Sequence, residues 1–190
     1  VSKYICSMQD TKDKIVDLAD QLIKTKGFNA FSYKDISDPL AIKNAAIHYH
    51  FPNKADLGMA VLEQEFTLLN TGIANWESLP EDEQLRHLIA SFENKCSSHM
   101  ACIMGSLSPD YNTLPTNMQE RLREFSAAVI KWVTQCLHNG RQKAIFSFKG
   151  APEDRALMIV SNLLASLLLS RVMGESAFEK ISKQLLDDIL

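Results

Sequence analysis

Apolar residues recur along most of this chain at spacings of three and four, the period of a helix with one buried face. Ile15, Leu18, Ala19, Leu22 and Ile23 begin the series. Gly27 ends that helix, and Phe28 packs back over its last turn. Leu57, Val61, Leu62, Leu68 and Leu69 predict a long helix from Lys54 to about Thr71. Leu85, Leu88, Ile89, Phe92 and Cys96 predict another, opened by Pro80, and residues 96–105 continue or kink into a sixth. Met118, Leu122, Phe125, Val129, Trp132, Val133 and Cys136 share one side of a helix from about Pro115 to His138, with Asn139-Gly140 as its stop. Residues 141–150 read as a loop in which Phe146 and Phe148 alternate with serine, which suits a short extended piece. Pro152 starts an eighth helix that ends near Gly174, and Phe178, Ile181, Leu185 and Ile189 align a ninth over residues 177–190. Residues 1–9 read as a loose arm before a helix that starts at Asp10 or Thr11. No strand signal of useful length and no repeat appears. The expected fold is all-α with about nine helices. A small N-terminal domain of residues 10–70 precedes a larger helical domain of residues 71–190, with a looser junction at Gly72 and residues 76–80.

Between the first and fourth helices the pattern shortens. Ser32 stands where it can cap a helix start, Asp35 follows three residues on as in a capping box, and Phe31 and Ile36 occupy the two positions of a hydrophobic staple. Pro39 keeps this helix short. Residues 41–43 make a tight connection, and residues 44–51 form a second short helix with Ile47 and Phe51 one turn apart on its inner side. Asn53 then caps the fourth helix, with Asp56 three residues on. Two short helices joined by a three-residue turn are a helix-turn-helix, whose second helix lies in the DNA major groove. Asn44, Ala45, Ala46 and His48 face outward on that helix: asparagine pairs with adenine and alanine methyls touch the thymine methyl. Lys43, Tyr49, His50 and Lys54, with Ser32, Tyr33 and Lys34 at the preceding helix start, ring the surface at phosphate-contacting positions.

The run Ile47-His48-Tyr49-His50-Phe51-Pro52-Asn53-Lys54-Ala55-Asp56-Leu57 resembles the signature of the TetR/AcrR family of one-component transcriptional regulators. In that family an aliphatic residue, an aromatic/His pair, Phe, a short linker and Lys close the recognition helix and open the next. The resemblance covers residues 11–70, and beyond them only helical layout and length agree. It departs at Ala41, where the family usually has Gly, and at Lys43, where it has Ser or Thr. Alanine resists positive φ, so an altered turn is expected. The resemblance implies a homodimeric regulator, most often a repressor, that binds a palindromic operator and is released by a small-molecule effector. It also implies that the fourth helix is the lever between effector and motif. In some members an N-terminal arm reaches the minor groove; here Lys3 is its sole basic residue.

Composition narrows this picture. The 190 residues include 46% hydrophobic positions, enough for a real core, and carry a net charge of −3. A chain that bound DNA over its whole surface would be basic. This one must localise its positive field in the head, and a dimer is then needed for useful affinity. No signal peptide is read at residues 1–8. The apolar run 156–169, broken by Ser161, Asn162 and Ser166, is too short to cross a membrane. Cys6, Cys96, Cys102 and Cys136 lack a C-x-x-C pair, which with the missing signal points to a reducing cytoplasm.

The eighth helix is apolar on more than one face, and a core buries only one. A second copy of the chain would bury the other, pairing the last two helices of each subunit in a four-helix bundle. The expected interface residues are Leu157, Val160, Leu164, Leu167, Leu168, Phe178, Ile181 and Leu185. The competing reading makes this the central core helix of a monomer.

Chemistry-bearing candidates are few. Cys96-Ser-Ser-His99-Met-Ala-Cys102 has the spacing C-x-x-H-x-x-C, but its ends cannot both face one ion on a single helix and no fourth ligand is evident, so no metal is expected. Cys102 is a candidate sensing thiol, with His99 three residues away, set against buried filler. Trp76, Phe92, Met100, Cys102, Met104, Tyr111, Phe125, Trp132 and Met158 are the candidate lining of a pocket for a small apolar or aromatic effector. No Ser/His/Asp arrangement, close carboxylate pair or Gly-rich phosphate loop is present, and neither catalysis nor a cofactor is expected. The alternatives are an apolar-ligand carrier or enzyme on the same fold without DNA binding, or a protein-interaction module.

Overall fold

A computed structural model gives the fold; it describes the backbone of residues 2–190 and the side chains of residues 11–190. Nine α-helices and one 3₁₀ turn account for the regular structure of the described residues: α1 Ser2–Lys26, α2 Lys34–Leu40, α3 Asn44–His50, α4 Lys54–Trp76, α5 Glu81–Ser97, α6 Ile103–Leu107, the turn at Tyr111–Thr113, α7 Thr116–Gln142, α8 Pro152–Met173 and α9 Ser176–Asp187. The all-α expectation holds, and residues 144–150 contain no strand. Helix α1 extends through the segment read as a loose arm. Val1 and the arm's side chains, Lys3 among them, lie outside the described residues.

The head is built by α1, α2 and α3 around Ile15, Ala19, Ile23, Phe31, Ile36, Ile47 and Phe51, all buried. Helix α4 begins with the full capping box: the Asn53 side chain accepts from the Asp56 N–H at 3.0 Å, and the Asp56 carboxylate takes the Asn53 N–H at 3.2 Å. It then runs on through Gly72 to Trp76, five residues past the expected end, and packs against both α1 and α7. Head and body therefore share one rigid helix.

Helix α7 carries straight through Asn139-Gly140, which the sequence reads as a stop. A Cβ on Gly140 would stand 2.2 Å and 2.5 Å from ring carbons of Phe146. The glycine serves close packing, and the chain turns only after Gln142, with Ala144 at φ +57°. Helix propensity alone predicts that Gly140→Ala gains about 1 kcal/mol. The clash reverses the sign: we expect a loss of about 1–3 kcal/mol in urea denaturation.

Helices α8 and α9 pack on each other, and α8 packs on α7. At 22 residues, α8 is longer than the apolar run read from sequence and is long and apolar enough to cross a membrane. Its inner side, Ala156, Ile159, Val160, Leu163 and Leu167, is buried in the bundle instead.

Candidate nucleic-acid interface and effector cavity

The motif starts differently from a standard capping box. The Asp35 carboxylate accepts both the Ser32 N–H and the Ser32 hydroxyl at 2.8 Å, whereas the Asp35 N–H goes to the Ser32 carbonyl. Ser32 is thus held by Asp35 and does not itself cap. These hydrogen bonds, with Lys26 at 3.2 Å, lower the Asp35 pKa to about 2. Phe31 and Ile36 are buried, as the staple requires. Pro39 lies inside α2, which ends with Ala41 at φ +52°, ψ +40°. The Ile42 N–H reaches back to the Ser37 carbonyl at 3.1 Å and the Ala41 N–H to the Asp38 carbonyl at 3.2 Å, a Schellman-type ending. Alanine therefore takes the left-handed turn that favours glycine, at a cost of about 1–2 kcal/mol.

Helix α3 begins without a side-chain cap, after an extended Lys43. Asn44, Ala45, His48 and Tyr49 are exposed, while Ala46 and His50 are half-buried. The inner side is Ile47. The Tyr33 hydroxyl donates to the Phe51 carbonyl at 2.9 Å, and the Tyr33 ring meets His48 edge-on at 4.7 Å, so α2 and α3 are fixed to one another. Burial pushes the Tyr33 hydroxyl up to about 12, so it stays a neutral donor. His48 Nδ1 lies 3.2 Å from the Pro52 carbonyl, which fixes the imidazole's orientation.

Lys34 and Lys43 are exposed at the edges of this surface. Lys54 is not presented in the same way. Its ammonium donates to the Phe31 carbonyl and lies 4.0 Å and 5.0 Å from the Phe31 and Phe28 ring centroids. Burial lowers its pKa. The rings and the carbonyl hold the cation inward, so Lys54 pins the start of α4 to the start of α2. A cation missed in sequence is Lys12 on α1, 5.8 Å from the Phe51 centroid and 39 residues away from it in the chain. We expect Lys43→Ala to lower the magnitude of the salt slope of DNA binding by about 0.9. Lys54→Ala will instead lower the melting temperature and weaken every sequence alike, with the slope unchanged.

In the body, α4, α5, α6 and α7 enclose a cavity of about 220 Å³. Of the candidate effector residues, Trp76, Phe92, Cys102, Met104 and Phe125 line it. The other candidates lie elsewhere. Trp132 tilts against Trp76 at 5.8 Å but faces a separate groove, and Met100 lines a polar groove beside Asp20 and Lys95. The Tyr111 hydroxyl is 2.7 Å from Arg123 Nε, and Met158 is exposed on α8. Cys96, His99 and Cys102 fall on α5, on the following turn and at the start of α6, and no group of three metal-ligating side chains gathers among the described residues. Cys102 Sγ accepts the Gly105 N–H at 3.4 Å. Burial raises the Cys102 pKa, the opposite of what a reactive thiol needs.

The sequence pattern gave no sign of the charges beside this cavity. Lys24 of α1 is buried and pairs with Asp20 at 2.8 Å and with Glu65 of α4 at 2.6 Å. Burial alone would lower the Lys24 pKa, but the Glu65 and Asp20 carboxylates outweigh it and raise it. The Lys24 carbonyl accepts from Ala101 N–H at 3.0 Å and Arg171 Nη2 at 2.8 Å, so the end of α1 is tied to α4, to the turn before α6 and to α8. Arg121 of α7 clamps Glu63 of α4 with two bonds of 2.7 Å and lies 3.7 Å from the Phe66 centroid.

On the outer side of α8, Leu157, Met158, Leu168, Leu169, Val172 and Met173 are exposed. Leu164, Ile181 and Leu185 are half-buried at its margins. Val160, Leu167 and Phe178 point inward and are buried in the monomer's own core, so they are removed from the expected contact surface.

A recognition helix presented on a compact head, joined by one long helix to an all-helical body, defines a helix-turn-helix DNA-binding regulator. Residues 15–61 match the family model for bacterial regulatory proteins of the tetR family. The structure is similar to that of a TetR-family regulator from Agrobacterium tumefaciens, 29% identical, with a TM-score of 0.90 over 96% of this chain and 98% of that one. It is also similar to a TetR regulator from Legionella pneumophila, 28% identical, with a TM-score of 0.85 over 94% and 97%. The HTH-type transcriptional repressor NemR of Escherichia coli K12 is 20% identical over 182 residues, 93% of this chain and 90% of that protein. Residues 15–61 thus carry the DNA-binding head of the tetR family of bacterial regulatory proteins, and the whole chain shares the fold of TetR-family regulators.

Proposed function

We propose that this regulator is a homodimeric, cytoplasmic repressor that holds a palindromic operator and releases it when a small apolar or aromatic effector enters the body. The observation that carries this reading is the outward face of α3: Asn44, Ala45, His48 and Tyr49 are exposed together, with none of the described residues folded over them. Asn44 and Ala45 are the base-reading pair, and Ser32, Tyr33, Lys34, Lys43 and His50 flank them at phosphate distance. The unburied stripe on α8, continued at the margin of α9, supports pairing of two subunits through their last two helices. Two heads then meet successive major grooves one turn apart. Effector entry acts by favouring one spacing of those heads over another. The route is short: Glu65 lines the cavity and holds Lys24 of α1.

The test is selection of duplex DNA by the purified chain, followed by titration over a salt series. The expected result is an inverted-repeat site whose affinity falls linearly with log salt and drops steeply when one half-site is scrambled. Equal affinity for scrambled duplex would overturn the reading.

A further inference from the structure

We infer that the cavity between α4 and α7 is a site for a small amphipathic monocarboxylate, an aromatic or short aliphatic acid whose carboxylate pairs with Lys95. The inference rests on the effector reading above and names the chemistry of that effector.

Two features converge. The first is shape and polarity. Leu69, Trp76, Phe92, Phe125 and Val129 supply apolar walls to a volume of about 220 Å³. A cavity of roughly 150 Å³ accommodates benzene, so this one suits a ring with a short substituent. Its charged and hydroxyl-bearing lining residues are Glu65, Ser91 and Lys95, which it shares with the open groove beside Asp20. A ligand seated here has its apolar body inward and its polar end at that mouth.

The second feature is an unanswered charge. Lys95 is largely buried; among the described residues its ammonium donates only to the Ser91 carbonyl, at 3.3 Å, and it lies 5.8 Å from the Phe92 ring centroid. Among the described residues no carboxylate pairs with it, whereas Lys24 is held by two. The ionisable groups around it are Glu65, Lys24, Cys102 and Asp20. Glu65 is the nearest candidate partner by sign, but its carboxylate is engaged by Lys24 at 2.6 Å. Burial pushes the Lys95 pKa down, as expected of a cation that lacks a counter-ion. A ligand carboxylate at the mouth supplies one. Glu65 and Asp20 are already paired with Lys24, so Lys95 is the charge at the mouth left to meet a ligand carboxylate.

Calorimetric titration of the full chain, without DNA, tests this with three probes of one shape: 3-phenylpropanoate, 3-phenylpropanamide and 3-phenylpropylamine. The expected result is binding of the carboxylate at least tenfold tighter than the amide, and weakest binding of the amine. Lys95→Met abolishes the carboxylate's advantage and leaves the amide's affinity unchanged, while Lys95→Arg keeps the preference. Equal affinities for acid and amide, tightest binding of the amine, a preference that survives Lys95→Met, or no binding of any probe would each overturn the inference. Operator retention is then measured separately with each probe. Carboxylate binding through Lys95 without operator release would leave the site standing and refute effector release. Release by the amide alone would do the reverse.

Discussion

Replacing Leu168 with glutamate is expected to split the proposed dimer and take operator binding with it. Leu168 lies in the outward apolar stripe of α8, beside Leu157, Leu169 and Val172, and is about half exposed in the single chain. The core positions on this helix are its inward neighbours Leu163 and Leu167, so the substitution spares the monomer's core. A two-fold interface places each altered residue in the contact twice. Burying an ionised carboxylate in an apolar contact costs several kcal/mol per ion. The dimer's dissociation constant should therefore rise by more than about 100-fold, at 1.4 kcal/mol for each factor of ten. Sedimentation will show a folded monomer, whose melting midpoint is lower than the parent's and no longer depends on protein concentration. Affinity for a two-half-site operator will collapse to that of a single head, with a shallower salt slope. Lys149→Gln, exposed on the loop before α8, changes the net charge by the same single unit and should do neither. If Leu168→Glu sediments as the parent does, the last two helices are not the contact surface.

The contrast between what could and could not be read in the sequence is physical. The helix-turn-helix was legible because its signals are local: the Asn53–Asp56 capping box, the Phe31–Ile36 staple and the single inward residue Ile47 all act within one or two turns. Even Ala41, a poor residue for its turn, takes the left-handed conformation because helices on both sides fix it. The misreadings depend on partners far along the chain. Gly140 looked like a helix stop, yet only the folded position of the Phe146 ring reveals why a glycine is needed there. Lys54 looked free to reach phosphate, yet the Phe31 carbonyl and two aromatic rings hold it. Apolar spacing located the cavity walls Trp76, Phe92 and Phe125, but it also drew in Tyr111 and Met158, which share the periodicity without sharing the cavity. Periodicity is blind to buried charge. Lys24, Glu65 and Lys95 lie on three different helices and read as ordinary solvated positions until α1, α4 and α5 are packed together.

The same blindness makes Lys24→Met the most damaging substitution expected in this chain. It looks benign in sequence, exchanging a long flexible side chain for another in a helix. In the fold it strands two carboxylates. Asp20 and Glu65 are both largely buried against Lys24, and Asp20 Oδ1 already has no hydrogen-bond partner. Removing the cation that bonds both leaves two buried carboxylates with Lys95 nearby but not paired to either, which costs about 3–5 kcal/mol. The loss should be read as a shift of the urea midpoint at constant slope. Its pH dependence separates the cause from lost packing. Burial already raises the Asp20 pKa, with Lys24 pulling the other way. Without Lys24, burial loses its main opposing charge, and the folded pKa of Asp20 rises further above its unfolded value. The folded state then binds more protons than the unfolded one, so stability falls as pH rises through that window and returns as pH drops below it. The deficit of Lys24→Met relative to the parent should thus shrink from about pH 8 to about pH 5, toward the ordinary range of carboxylate titration. Adding Glu65→Leu should recover part of it at the higher pH by removing one of the stranded charges. A deficit that stays constant with pH, and that Glu65→Leu deepens, would mean that Lys24 acts through its alkyl packing and not as the counter-ion that joins α1 to α4.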